Sequence, residues 1–252
     1  MRKPTDPPFI QDISLKREYI TSFDQFPFSI PAVRHLHTLK LHPRVTFFVG
    51  ENGTGKSTLL EAIAVAEGFN AEGGSRNFMF RTRDTHSELF KFIRIGRGPR
   101  RVARSDSFFL RAESFYNVAT AADQLGLAYG GKSLHDQSHG ESFLTLMIER
   151  LGSNGLYLFD EPEAALSPQR QLSFLVAMHD LVQRGSQLII ATHSPIIMAY
   201  PDATIHSFTT TGIEPIAYQE TEHYKVTKAF LSRTEKMLEE LLGDEPAGEV
   251  RE

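Results

Sequence analysis

Three apolar runs punctuate the chain: Val45–Val49, Leu156–Asp160 and Gln187–Thr192. Each is short, apolar and bounded by glycine or polar residues, the pattern of a strand buried inside a sheet. Helical spacing takes over after the first run, where Leu59, Leu60, Ile63 and Ala66 share one face of residues 57–66. Glu141–Leu151 and Pro168–Arg184 read as further helices, and Ser114–Leu127 as another. Phe9–Leu15, Phe26–Ile30, Phe78–Arg81, Leu89–Ile95 and Phe108–Arg111 read as shorter strands, with Pro27 and Pro31 breaking the second. Residues 69–75 and 129–133 are glycine-containing loops, and Gly96–Arg101 a turn. Thr204–Phe208 and Ile213–Tyr218 close the strand set. Thr221–Leu242 is helical, with a capping-box-like Ser232-Arg233-Thr234-Glu235 predicting a break near Ser232. Strands alternating with helices imply an α/β domain with a mainly parallel sheet covered on both faces. The polar residues 244–252 predict a disordered tail.

Composition narrows this picture. The chain has 252 residues, 40% hydrophobic and 23% charged, as in a soluble globular protein. No apolar run approaches the roughly 20 residues of a membrane span. The first eight residues lack the apolar stretch of a signal peptide, so a cytoplasmic location is expected. Cysteine is absent, which excludes disulfides and thiolate metal sites. The net charge is -4, but it is unevenly spread. Residues 76–111 hold ten basic residues against three acidic ones, a local +7 that leaves about -11 elsewhere. Such a segment fits either the phosphates of a nucleic acid or a solvated strand-and-loop face. The interleaved Phe78, Phe80, Phe90 and Phe92 read as the buried side of strands rather than a base-stacking platform.

The chemistry is concentrated where strands end. Gly50-Glu51-Asn52-Gly53-Thr54-Gly55-Lys56-Ser57 matches G-x-x-x-x-G-K-[ST] between a strand and a helix. That arrangement gathers backbone N–H groups and a positive helix end around one anion. Lys56 would reach the β- and γ-phosphates and the Ser57 hydroxyl would bind Mg²⁺. The run Leu156–Phe159 ends in Asp160, a ligand to the Mg²⁺ shell opposite Ser57, followed by Glu161, placed to polarise an attacking water. Ser138-His139-Gly140-Glu141 lies ahead of a helix, 22 residues before Asp160. Ala191-Thr192-His193 ends the next apolar run, where His193 could donate to a γ-phosphate oxygen.

The order of these motifs, with Ala165-Leu166-Ser167-Pro168 between them, resembles the ATP-binding-cassette (ABC) ATPases. More closely it resembles small soluble ATPases related to the SMC and RecF group, over roughly Val45–Pro195. The resemblance implies a P-loop NTPase fold, the ABC ATPase head. It comprises a RecA-like mainly parallel core sheet, an N-terminal antiparallel β lobe and a small helical signature lobe. One domain would span 1–243, with β lobe and core over 1–111, the signature lobe over about 112–151, and the core continued over 152–243. It also implies ATP and Mg²⁺ as ligands and an ATP-induced head-to-head homodimer. Gly50 to Thr58 would bind nucleotide, with Lys56, Glu161 and His193 catalytic and Ser57 and Asp160 on the metal. Ser138, Gly140 and Glu141 would contact the ATP of the other protomer, and Ala165–Pro168 would form the D-loop crossing the seam.

The match has departures. His139 is atypical in the signature, and no clear Q-loop glutamine exists. The Glu113 region and Gln124 are the candidates, the former favoured because it follows a strand-like run. No aromatic residue ahead of Gly50 can be assigned to stack on adenine. Only 82 residues separate Lys56 from Ser138, too few for a long coiled-coil arm. Three roles compete for the ATP cycle. One is nucleic-acid maintenance or defence through segment 76–111, with a nuclease or other effector as partner. The others are the ATPase subunit of a membrane permease and a nucleotide-gated interaction module with negligible turnover. A P-loop kinase is a minor fourth, because nothing nominates an acceptor pocket.

Overall fold

The computed structural model describes residues 7–75, 87–100, 107–113 and 139–243. The predicted strand 78–81, helix 114–127, loop 129–133, Gln124, Ser138 and the tail 244–252 lie outside them. Ten strands are present among the described residues: β1 (Ile10–Leu15), β2 (Thr38–Lys40), β3 (Val45–Val49), β4 (Gly74–Ser75), β5 (Ile93–Arg97), β6 (Phe108–Arg111), β7 (Leu156–Asp160), β8 (Gln187–Ala191), β9 (Ala203–Thr209) and β10 (Gly212–Ile216). The helices are α1 (Pro31–Arg34), α2 (Lys56–Ala66), α3 (Leu89–Phe92), α4 (His139–Arg150), α5 (Pro168–Gln183), α6 (Glu222–Ser232) and α7 (Thr234–Leu242).

Seven strands form the central sheet in the order β10-β9-β3-β8-β7-β6-β4. The inner five are parallel, and β10 and β4 add antiparallel edges. A second, antiparallel sheet runs β2-β1-β5. The buried strands β3, β7 and β8 alternate their side chains between two cores, as the period of two requires. Phe47, Tyr157, Phe159, Leu188 and Ile190 face α4 and α5, where Phe143, Leu146, Phe174 and Met178 are buried. Phe174 meets Phe159 edge to face, with centroids 5.3 Å apart. On the other side, Phe48, Leu156, Leu158 and Ile189 face Leu59, Leu60 and Ile63 of α2 together with Ile10, Ile13 and Ile93 of the small sheet. Both faces being covered explains why these strands read as unbroken apolar runs.

The predicted parallel core and antiparallel N-terminal lobe are present, and three local readings change. Phe26–Ile30 is a turn, with Ser29 N–H donating to the Gln25 carbonyl; Pro27 offers no N–H, and Pro31 opens α1. Leu89–Phe92 is a helical turn rather than strand, its buried Leu89 packed in the core with α2. The strand that follows runs on to Arg97, through a glycine read from sequence as turn. Gly96 serves close approach instead: a Cβ there would lie 2.4 Å from Asp12 Oδ1 on the paired strand. The C-terminal helix breaks at Arg233, one residue past the predicted cap, where φ is -146° and no side chain caps the next helix.

One buried side chain joins the two sheets. Gln187, the first residue of β8, accepts hydrogen bonds at Oε1 from the Phe9 and Ile10 N–H groups, both at 2.9 Å. Its Nε2 donates to the Ile10 and His42 carbonyls, again at 2.9 Å. Replacing Gln187 by Leu leaves two N–H and two carbonyl groups buried without these partners. At about 1–3 kcal/mol per unsatisfied group, partly relieved by relaxation, Gln187→Leu should lose about 3 kcal/mol or more in urea unfolding.

Candidate active site

The loop after β3 turns where only glycine fits. Gly50 has φ +139°, and a Cβ there would sit 2.4 Å from the Phe208 carbonyl oxygen of β9. Gly55, at φ +99°, precedes α2 and backs onto Ile30, whose Cγ2 would be 2.7 Å from a Cβ. Thr54 Oγ1 donates to the Glu51 carbonyl at 2.8 Å and braces the turn. The first N–H groups of α2 have no intrahelical acceptors, so this end of the helix carries partial positive charge. Lys56 is buried, and its Nζ donates to the Gly50 and Glu51 carbonyls at 2.9 and 2.8 Å. Burial pulls its pKa below the usual lysine value, opposed by the charges of Glu161, Asp160 and Glu163.

Strand pairing brings the acidic groups to this loop. Ser57 Oγ donates to Asp160 Oδ1 at 2.8 Å, across 103 residues of sequence. Burial pushes Asp160 from its ordinary 3.8 to about 6, while Arg111 and the Ser57 hydrogen bond hold it down. Arg111, paired with Asp160 across β6 and β7, places Nε 3.3 Å from Asp160 Oδ2 and Nη1 2.8 Å from Glu61 Oε2. Sequence reading counted Arg111 only within the basic segment. Glu113, the favoured Q-loop candidate, is 88% exposed and reaches Arg111 Nη2 at 3.8 Å. It lines a 470 Å³ cleft with Ser57, Arg111, Asp160 and Glu161.

Glu161 adopts a left-handed backbone, φ 49° and ψ 52°, and its N–H donates to Ala191 at the end of β8. Its half-exposed carboxylate lies 3.5 Å from His193 Nε2. That nitrogen is buried and makes no hydrogen bond, so it remains an available donor. The His193 N–H is held by Glu163 Oε1, while Glu163 Oε2 accepts from Thr192 Oγ1 at 2.8 Å. Burial raises the Glu163 pKa against these hydrogen bonds. On its other side the His193 ring meets His223, Nδ1 to Nε2, at 3.0 Å. Glu51, Asn52, Glu161, Glu163, His193, Glu222 and His223 line a second cleft of 740 Å³, within the range of small-ligand sites.

The structure brings Lys56, Ser57, Asp160, Glu161 and His193 together. Gly140 and Glu141 are placed elsewhere: neither lines the two clefts. Gly140 is buried under the predicted D-loop, where a Cβ would be 2.8 Å from the Ala165 carbonyl oxygen, and Glu141 Oε1 pairs with Arg170 Nη2 at 2.9 Å. Three residues at the site were missed. Glu163 had a signal, as the next carboxylate after Glu161 in Asp160-Glu161-Pro162-Glu163. Arg111 and His223 had none, because only tertiary packing brings them here.

The residues suit a nucleotide triphosphate and a hard cation. A buried ammonium on loop carbonyls, a helix N-terminus and an unbonded imidazole nitrogen are donors for phosphate oxygens. Ser57 and Asp160 offer a hydroxyl and a carboxylate oxygen. Among the described residues no group of three or more His, Cys, Asp or Glu could hold a metal.

Comparison with known proteins agrees. Residues 19–111 match a family model described as "AAA domain". Residues 142–199 match one described as "AAA domain, putative AbiEii toxin, Type IV TA system". Over 56 residues the chain is 41% identical to Protein ea59 of Escherichia phage lambda; this stretch is 22% of the chain and spans only 11% of the phage protein. A bacterial Atm1-family ABC exporter with ATP bound superposes with TM-score 0.50 at 16% identity, covering 91% of this chain and 44% of the exporter chain. The SMC head domain from Thermotoga maritima gives TM-score 0.48 at 15% identity over 82% of this chain and 99% of the head. CbiO1 from Clostridium perfringens, part of an ABC transporter complex, gives 0.47 at 15% identity over 93% and 99%. The chain has the fold of the ABC-type P-loop ATPases. No helix among the described residues is long and apolar enough to cross a membrane.

The raised Asp160 pKa carries a stability signature. A carboxyl group whose pKa rises on folding adds stability below its unfolded value of 3.8 and loses it as pH climbs through about 6. Without nucleotide or Mg²⁺, Asp160→Asn should therefore be more stable than wild type at pH 7 by up to ~3 kcal/mol. Urea unfolding from pH 4 to 7 should show that gap closing toward the acid end.

Proposed function

We propose that this chain is a Mg²⁺-dependent ATPase whose hydrolytic site is completed when two copies close head to head over ATP. ATPase chemistry is the function common to the matched families. The carrying observation is that a buried lysine, a serine–aspartate pair and a glutamate–histidine pair meet at the ends of three neighbouring parallel strands. Lys56 and the α2 N-terminus hold the phosphates. Ser57 and Asp160 would hold Mg²⁺, which supplies charge neutralisation on the phosphate oxygens. Glu161, half exposed beside the 740 Å³ cleft, orients and deprotonates the attacking water, and His193 Nε2 donates to the γ-phosphoryl oxygens. Glu141, exposed beside Arg170, serves the ATP bound by the second copy together with Ser138, with Gly140 packed behind it under Ala165.

The cycle acts in nucleic-acid maintenance or defence. The toxin–antitoxin description of one matched family supports the defence side of this reading. Segment 76–111 contributes through only part of its length. Each of its described basic residues is engaged within the chain: Lys91 with Glu88, Arg94 with Glu18, Arg97 with Glu67, Arg100 with Asn154 and the Gly185 carbonyl, and Arg111 with Asp160 and Glu61. Arg76, Arg81, Arg83, Arg101 and Arg104, outside the described residues, are the ones assigned to nucleic acid.

Glu161→Gln should cut ATP hydrolysis by roughly 10²–10⁴-fold while ATP still binds. Light scattering should find that variant dimeric in saturating ATP and Mg²⁺; a monomer would rule out the closed pair. Charge reversal at Arg76, Arg81, Arg83, Arg101 and Arg104 should abolish a salt-dependent DNA or RNA complex in a fluorescence-anisotropy titration. Binding that survives reversal would take the role away from these arginines, and no binding at low salt would remove the nucleic-acid role itself.

A further inference from the structure

His223 opens the C-terminal helical segment, and its position is built rather than incidental. Buried Thr221 caps α6 by accepting from the Tyr224 N–H, and its own hydroxyl donates to the Tyr218 carbonyl at 2.7 Å. Tyr218 in turn donates from its hydroxyl to the Pro195 carbonyl at 2.9 Å, two residues past His193. The Tyr218 and Tyr224 rings pack at a tilt, with centroids 4.7 Å and planes 57° apart. These contacts fix the first turn of α6 against the strand end that carries His193. The result is the 3.0 Å contact between His193 Nδ1 and His223 Nε2, with ring planes 63° apart.

The proton on that contact can be assigned by elimination. Burial and the nearby Lys56 ammonium lower both imidazole pKa values, against Glu161 acting on His193 and Glu222 and Glu51 acting on His223. Two neutral rings share one proton along the bond. His193 Nε2 faces the Glu161 carboxylate at 3.5 Å, and a bare ring nitrogen there would set lone pair against negative charge. Nε2 therefore carries the hydrogen, Nδ1 is an acceptor, and the donor must be His223 Nε2–H.

We propose that His223 is a positioning residue that locks His193 in the Nε2–H tautomer, the form able to donate to a γ-phosphoryl oxygen. Through this one bond the segment 221–242 is coupled to the nucleotide site. A shift of α6 frees the His193 ring to take the other tautomer, with its proton turned away from the phosphate. The inference rests on the ATPase reading for its consequence but not for its geometry.

Two variants and one spectrum test it. His223→Leu removes the donor at similar bulk; His223→Gln restores a side-chain N–H near the same place. His223→Leu should lower kcat by about 10–100-fold, the usual cost of losing such an orienting partner, with the KM for ATP nearly unchanged. His223→Gln should recover most of the rate. Side-chain ¹⁵N NMR on nucleotide-free protein, with His193 assigned by the signal lost in His193→Gln, should show the Nε2–H tautomer in wild type and a tautomer mixture in His223→Leu. A wild-type His193 carrying its proton on Nδ1 overturns the proposal, as does His223→Leu turning over at the wild-type rate with an unchanged spectrum. Should no variant hydrolyse ATP, the ATPase reading falls while the wild-type spectrum still decides the tautomer. If His223→Leu does not fold, wild type and His223→Gln carry the decision.

Discussion

Everything at the site depends on how β3, β8 and β7 are paired. Phe48 and Asp160 both stand opposite Ala191, so the three strands finish at one level of the sheet. The loop after β3, the acidic pair after β7 and the Thr192-His193 step after β8 leave from the same edge. In open parallel sheets this carboxyl edge is where ligands collect, because loops emerge there together. The insertion of β8 between the other two sets His193 between the lysine loop and the acidic pair. A slip of one residue in β8 would turn its apolar side chains to the opposite cores and move His193 off the site.

Charge at this edge is densely packed and only partly balanced. Asp160 is buried, Glu163 is half-buried, and Glu161 stands beside them. Lys56 and Arg111 are the cations that oppose them. Arg111 holds the Asp160 oxygen not used by Ser57, so the carboxylate is divided between a hydroxyl donor and a guanidinium. Ser57 and Asp160 would hold a divalent cation, so one carboxylate would have to serve a hydroxyl, a guanidinium and a metal. Arg111 is thereby tied to the same balance, although it lies on a strand whose sequence advertises nothing but burial.

Much of this was legible before any coordinates. The apolar runs at Val45, Leu156 and Gln187 mark strands because burial on both faces removes any need for polar positions. The glycine–lysine–serine loop is legible because its backbone turns admit few residues. The signature and its partner loop could be named, yet the placement of Gly140 against Ala165 depends on tertiary packing. Two of the local errors share a cause. Proline and glycine were read by their commonest use, whereas Pro27 belongs to a turn inside an apolar stretch and Gly96 answers the carboxylate of Asp12 across a ladder. His223 is separated from His193 by 30 residues and an intervening hairpin, and no periodicity could have joined them.

The backbone at Glu161 has an evolutionary cost attached. A glutamate in the left-handed region spends about 1 kcal/mol of conformational energy that glycine or asparagine would largely return. A copy of this scaffold with glycine or asparagine here would therefore be the sturdier protein. The fold alone does not call for a carboxylate at this position.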